Sequence, residues 1–182
     1  LTAAHCADPY SVANIDVVAG KHRLSETGGQ RIDVVEKIVH PDYNSATFDN
    51  DVALLRLASP VAYTTLPTVP GGSSEFTGVG TMATVAGWGS TTGQQPYQYS
   101  DTVQQVQVPI VSTSICNGPQ AYNGGITDGM LCAGYTAGGQ DACIGDSGGP
   151  LFSQCDGQLS GIELSDGHIL DPGQGHQPFT GT

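Results

Sequence analysis

Positive charge is scarce in this chain. Five Lys and Arg stand against 17 Asp and Glu, a formal net charge of −12 over 182 residues. The five are Lys21, Arg23, Arg31, Lys37 and Arg56, and no Lys or Arg follows Arg56. Such an acidic excess disfavours nucleic acid and anionic membrane surfaces as partners and favours cationic substrates. Long apolar runs are also missing; a membrane-spanning helix needs about 20 such residues, so no membrane association is expected. No zinc-ligand spacing and no phosphate-cradling loop occurs, so neither a metal nor a cofactor is expected. No initiator Met and no leader segment are present, but the chain opens inside a motif, so their absence leaves secretion undecided.

Glycine is plentiful: 26 residues, about twice its usual share, with 11 Pro beside it. Frequent turn residues between short apolar runs favour an all-β architecture over helices. Alternation marks strands over Ile15–Ala19, Ile32–Val39, Val52–Leu57, Thr81–Trp88 and Val103–Val111. In the last, Val106, Val108 and Ile110 recur with period 2 and should face one way. Connectors rich in Gly, Ser, Thr and Pro run over Glu26–Gln30 and Gly89–Pro96, and Ser59–Gly72 reads as a linker between two half-structures. Ser112 could cap a short helix, which Gly118-Pro119 limits to a turn or two.

Three segments carry chemistry. Gly145-Asp146-Ser147-Gly148-Gly149-Pro150 frames a serine with glycines, leaving its hydroxyl unobstructed and letting two nearby N–H groups converge on one point. That suits an activated nucleophile with an oxyanion hole. Leu1-Thr2-Ala3-Ala4-His5-Cys6 supplies a histidine, and Asp49-Asn50-Asp51-Val52-Ala53-Leu54-Leu55 supplies an acid. The order His, Asp, Ser is one of three in which such triads occur, and it is the one found on a double β-barrel. Together these segments resemble the trypsin/chymotrypsin family of serine endopeptidases, from Leu1 to about Ile162.

The resemblance implies two packed antiparallel β-barrels with the catalytic cleft between them. Residues 1–66 would form a first barrel truncated at its N-terminus, and residues 67–162 the second. It implies catalytic roles for His5, Asp51 and Ser147, with the oxyanion bound by the N–H groups of Gly145 and Ser147. Asp51 is preferred to Asp49 as the acid because it directly precedes the Val-Ala-Leu-Leu run. His22, His40, His168 and His176 read as surface or turn residues. Asp146 would pair with the new N-terminal amine of an activated enzyme and set the oxyanion loop. Asp141, six residues before Ser147, would lie at the base of the primary pocket and select Arg or Lys, with Ile144 making the rim more apolar. The substrates would be proteins or peptides. The enzyme would be a secreted, extracellular monomer without cofactor.

Five cysteines leave at least one outside any internal pairing. The resemblance pairs Cys116 with Cys132, a loop whose closure is worth about 3 kcal/mol in the chain-entropy model. It pairs Cys6 with a cysteine upstream of the histidine and Cys143 with one beyond Ile162; neither partner is in this sequence, and Cys155 is unassigned. Disulfides imply an oxidising compartment. Some relatives carry a calcium loop, but Lys21 and Gln30 stand where carboxylates would be wanted, so no metal is expected. After Ile162 the family's Ser-Trp-Gly strand, cysteine and terminal helix do not appear. Residues 163–182 therefore read as an aberrant, poorly ordered tail, as from a shifted frame or divergent splice. The chain as written is expected to be a poor enzyme. The competing reading is a non-catalytic homologue acting as a binding module; the intact His, Asp and Ser speak against it.

Overall fold

Alternation decides the strands. Along β5 (Gln104–Val111), Val106, Val108 and Ile110 are buried while Gln105 and Gln107 face solvent, as the period of 2 requires. The computed structural model describes residues 1–68, 77–93, 95–153 and 159–162. Within them the other expected strands are β1 (Asp16–Ala19), β2 (Gln30–Val39), β3 (Ala53–Leu57) and β4 (Met82–Gly87), each within two residues of its expected bounds. Three further strands have no clear alternation in the sequence: β6 (Cys132–Ala133), β7 (Pro150–Ser153) and β8 (Leu159–Ile162).

The strands form two sheets in which every pairing is antiparallel, so the fold is all-β. The first has the order β1-β2-β3 and the second β6-β5-β4-β7-β8. A bulge between Val34 and Glu36 shifts the β2–β3 register, and there alternation breaks, with Val35 and Glu36 both exposed. Ala83, Val85, Val106, Val108, Ile110, Ala133, Ala142 and Leu151 make the larger core, on the second sheet. A smaller one gathers Ala4, Ala7 and Ala53 with Ile15, Val39, Tyr43 and Leu55 around the first.

Helices are short, as the composition indicated. The helix α1 (Ala4–Ala7) was not foreseen, because its four residues fall inside a motif read for chemistry. The helix α2 (Thr113–Cys116) starts after Ser112 as expected, but the Ser112 hydroxyl bonds that of Ser114 at 3.0 Å and not a backbone amide. A disulfide joins Cys116 at the end of α2 to Cys132 in β6, with Cα atoms 6.6 Å apart. The tail 163–182, Cys155 and residues 69–72 of the expected linker lie outside the described residues.

The two halves meet through backbone as well as side chains. Leu24 N–H donates to Asp101 O (2.8 Å) and Val103 N–H to His22 O (2.9 Å). The Ser25 amide and hydroxyl both donate to the Asp101 carboxylate, at 2.8 and 2.7 Å, and these bonds hold its pKa below the ordinary carboxylate value.

Candidate active site

The helix α1 and strand β3 bring His5 and Asp51 together. Thr2 pairs with Ala53 through both backbone bonds, N–H to O at 3.0 Å and O to N–H at 2.8 Å, which sets the one-turn helix beside the start of β3. Asp51 lies just before that strand with its side chain fully buried. Its carboxylate accepts twice from one residue: Oδ1 from the His5 backbone N–H at 2.7 Å and Oδ2 from His5 Nδ1 at 2.6 Å. A buried carboxylate must be satisfied in this way, and the double contact fixes the plane and tautomer of the imidazole. The neutral imidazole that suits this contact carries its proton on Nδ1 and accepts on Nε2. The ring is partly open to solvent and meets Phe48 edge-on, centroids 5.6 Å apart.

Asp49, the other acid weighed for this role, points elsewhere. Its Oδ1 accepts from the Thr127 hydroxyl at 2.7 Å, tying the loop before Asp51 to the second half of the chain. His40 heads a turn, accepting the Asp42 N–H on Nδ1 (3.2 Å) and the Tyr43 N–H on its carbonyl (3.0 Å).

The serine segment comes to the same place from the other half. The Thr2 hydroxyl donates to Gly148 O at 3.3 Å, and Cys6 Sγ lies 3.5 Å from Ser147 O. Thus Ser147–Gly148 packs against the segment that carries His5, 142 residues away in sequence. The loop before it is shaped by Asp146, whose Oδ1 accepts from Gly89 N–H (2.8 Å) and Oδ2 from Cys143 N–H (3.0 Å). The close approach demands glycine: a Cβ on Gly87 or Gly89 would overlap the Asp146 carboxylate. Gly145 adopts φ +99°, a conformation other residues avoid, and a Cβ there would stand 3.0 Å from the Tyr99 ring. Gly87 and Gly89 are site residues that the sequence reading passed over; the Gly-Trp-Gly run at 87–89 was the available signal.

Asp141 is buried, 4% exposed, and its Oδ1 accepts the Ala142 N–H at 2.7 Å. Ile144 is half-buried, and its carbonyl accepts the Ser90 N–H at 2.8 Å. Cys143 between them is buried, and that burial pushes its thiol pKa up. Tyr43, packed beneath the dyad, is likewise raised, by burial first and then by the negative charge of Asp51. In the loop where a calcium site was weighed, the Lys21 ammonium donates to Leu24 O at 3.0 Å and Glu26 O at 2.6 Å, taking carbonyls a cation would otherwise use. No helix among the described residues is long and apolar enough to cross a membrane.

Comparison with known proteins gives one consistent result. The family model "Trypsin" matches residues 1–172. Trypsin-3 of Salmo salar is 41% identical over 164 residues, 89% of this chain and 65% of that protein. Trypsin of Xenopus laevis is 42% identical over 168 residues, 89% of this chain and 64% of its own length. Human kallikrein-14 is 40% identical over 164 residues, with 58% of its length covered. The chain thus spans less than two thirds of the length of these relatives.

Proposed function

The chain belongs to the trypsin family, and on that premise we propose that it is part of a secreted serine endopeptidase that cuts protein or peptide chains after Arg or Lys. The observation that carries this reading is the His5–Asp51 dyad, held by bonds of 2.6 and 2.7 Å, standing against the Ser147–Gly148 peptide. The roles are those long established for this family's triad, carried onto the matching positions. Ser147 Oγ adds to the scissile carbonyl carbon while its proton passes to Nε2 of His5. Asp51 keeps Nδ1 protonated and stabilises the imidazolium. The C–N bond then breaks, the leaving amine takes the proton from His5, and water releases the acyl group by the same route.

The oxyanion would sit between the N–H groups of Gly145 and Ser147, a donor pair of which each member is typically worth about 10²–10³-fold. Its geometry depends on Asp146. A small recess lined by Gly87, Gly89, Ser90, Gln104 and Asp146 lies beside that carboxylate. There an ammonium, such as the amine of a freshly cut chain terminus, would find its counter-charge. Asp141 would supply the selective charge: a buried carboxylate left facing an apolar side chain costs far more than one facing Arg or Lys. The two-barrel division near residue 66 belongs to the same proposal, each half bearing one side of the cleft.

A serine-directed phosphonate, followed by peptide mass mapping, tests the nucleophile. Label is expected at Ser147 and lost in Ser147→Ala. Label elsewhere, or none in a folded preparation, would overturn the assignment. Matched Arg and Phe peptides test the pocket. Equal kcat/KM for the two, or an Arg preference untouched in Asp141→Ser, would remove Asp141 from its role.

A further inference from the structure

Two Asn-Gly pairs lie in the loop that the Cys116–Cys132 disulfide closes: Asn117-Gly118 and Asn123-Gly124. Such a pair is a chemically weak point. The backbone nitrogen of the following residue can attack the asparagine side-chain carbonyl, and a glycine there has no Cβ to crowd the approach. The attack requires that both groups be free to move. In this respect the two pairs are opposites.

Asn117 is clamped. Its Oδ1 accepts the Ile126 N–H at 2.8 Å and its Nδ2 donates to Ile126 O at 2.9 Å, so both ends of the side-chain amide are held on another segment. The nucleophile is occupied as well, since Gly118 N–H donates to Ile115 O at 3.1 Å. Asn123 is exposed and has φ +48°, in the left-handed region that asparagine tolerates. Among the described residues no hydrogen bond takes its side-chain amide or the Gly124 N–H, and a Cβ built on Gly124 would meet nothing within 4 Å. The turn is closed around the pair, by Asn123 N–H to Gly118 O (3.1 Å) and Gly125 N–H to Tyr122 O (2.9 Å), without engaging either reacting group.

We propose that Asn123 is a site of self-modification, deamidated through a cyclic imide by its own backbone and water, and that the Ile126 clamp spares Asn117. Gly124 N yields its proton to a solvent base and adds to Cγ of Asn123. The Cγ–Nδ2 bond breaks, and ammonia leaves with a proton drawn from water. A second water then opens the ring. Attack at the side-chain carbonyl gives an aspartyl residue; attack at the main-chain carbonyl gives an isoaspartyl residue whose backbone runs through Cβ. In sum one water is consumed and one ammonia released, with no oxidant or reductant. The reaction needs no residue of the proposed catalytic site.

Either product adds a negative charge to a chain already at −12. The isoaspartyl form also lengthens the main chain by one carbon within the turn. Tyr122 and Ile126, on either side, pack against Val111, Cys116 and Cys132, so that small cluster is what the longer backbone would pull on.

The whole chain, folded and urea-unfolded, is held in warm neutral buffer made with water enriched in heavy oxygen. Both pairs are then followed by digestion at acid pH and fragment mass mapping. In the folded chain Asn123 should convert at least about tenfold faster than Asn117, because opening the clamp breaks several hydrogen bonds at once. In urea the two should convert at similar rates. The Asn123 products should each carry one heavy oxygen and be divided between aspartyl and isoaspartyl forms. Amide-exchange protection of β4 and β5 in the same sample reports that the fold is present. Equal rates at the two pairs in that protected sample, or an Asn123 slowed by folding as much as Asn117, would overturn the proposal. An aspartyl product with no isoaspartyl companion would do the same, since direct hydrolysis and not ring closure would then be at work.

Discussion

The two sheets are held by different means. The second packs branched aliphatics, Val85, Val106, Val108, Ile110 and Leu151, into one core, with a disulfide closing the loop beside it. The first clusters three buried alanines, Ala4, Ala7 and Ala53, rimmed by half-exposed Ile15, Val39 and Leu55, and only Ile32 and Val34 are buried branched aliphatics on its strands. Ion pairs between Lys or Arg and a carboxylate, among the described residues, fall only in this first region: Arg31–Asp16, Lys37–Asp8 and Arg56–Glu36. Pairs so exposed contribute at most about 1 kcal/mol each, whereas a buried branched side chain contributes roughly 1.5–3 kcal/mol. The His5–Asp51 dyad therefore rests on the lighter frame and the serine loop on the heavier one. A site divided in this way should lose its histidine side first when the chain is stressed.

The sharpest way to separate the two sides is Asp51→Asn. It leaves the second sheet untouched but offers Nδ1 an ambiguous partner and favours the wrong tautomer. In this family's triad that change costs on the order of 10⁴ in kcat, and phosphonate labelling of Ser147 should slow correspondingly. Labelling at the original rate would mean that the serine does not use the dyad.

Core substitutions come next in size. Ile110→Ala, at a position 2% exposed, should cost about 2–5 kcal/mol in urea unfolding. Val39→Ala, half-exposed on the first sheet, should cost clearly less. Similar losses would break the contrast between the frames. Amide exchange sharpens it further: β1–β3 should open at lower free energy than β4 and β5.

The smallest effect is pH-dependent. Burial raises Cys143, and burial with nearby carboxylates raises Tyr43, so the folded chain holds both protons to higher pH than the unfolded chain does. Their favourable contribution is complete below the ordinary thiol and phenol ranges and is lost as the pH climbs through the folded values. Stability should fall from about pH 8 upward and keep falling beyond about pH 10, and Cys143→Ala should flatten the first part of that fall. A pH profile identical in Cys143→Ala would separate the thiol from the effect.

Much of the scaffold was legible before any coordinates. Period-2 alternation located β1 to β5, because a strand with one buried face records that face residue by residue. The strands β6, β7 and β8 escaped because they are two to four residues long, too short for a period to show. The helix α1 escaped because its four residues fall inside the motif read for chemistry. At the site, the three motifs singled out His5, Asp51 and Ser147, and Thr-Ala-Ala before His5 separated it from the other histidines. Gly87 was read only as part of a strand and Gly89 only as the start of a connector, since nothing local says that the Asp146 carboxylate, 57 residues beyond Gly89, will lie against them.

By itself, then, the sequence determined the chemical inventory, the all-β class and the strands whose burial alternates, because composition and periodicity are local properties of the chain. Tertiary structure alone decided what each of those groups faces. It buried the Asp51 carboxylate beside α1, 2.6 Å from the imidazole, and turned that of Asp49 to Thr127. It also set Cys6 Sγ 3.3 Å from Nε2 of His5. Such partners are fixed by how a strand, a one-turn helix and a loop from the far half pack together, and no residue's neighbours in sequence contain that information.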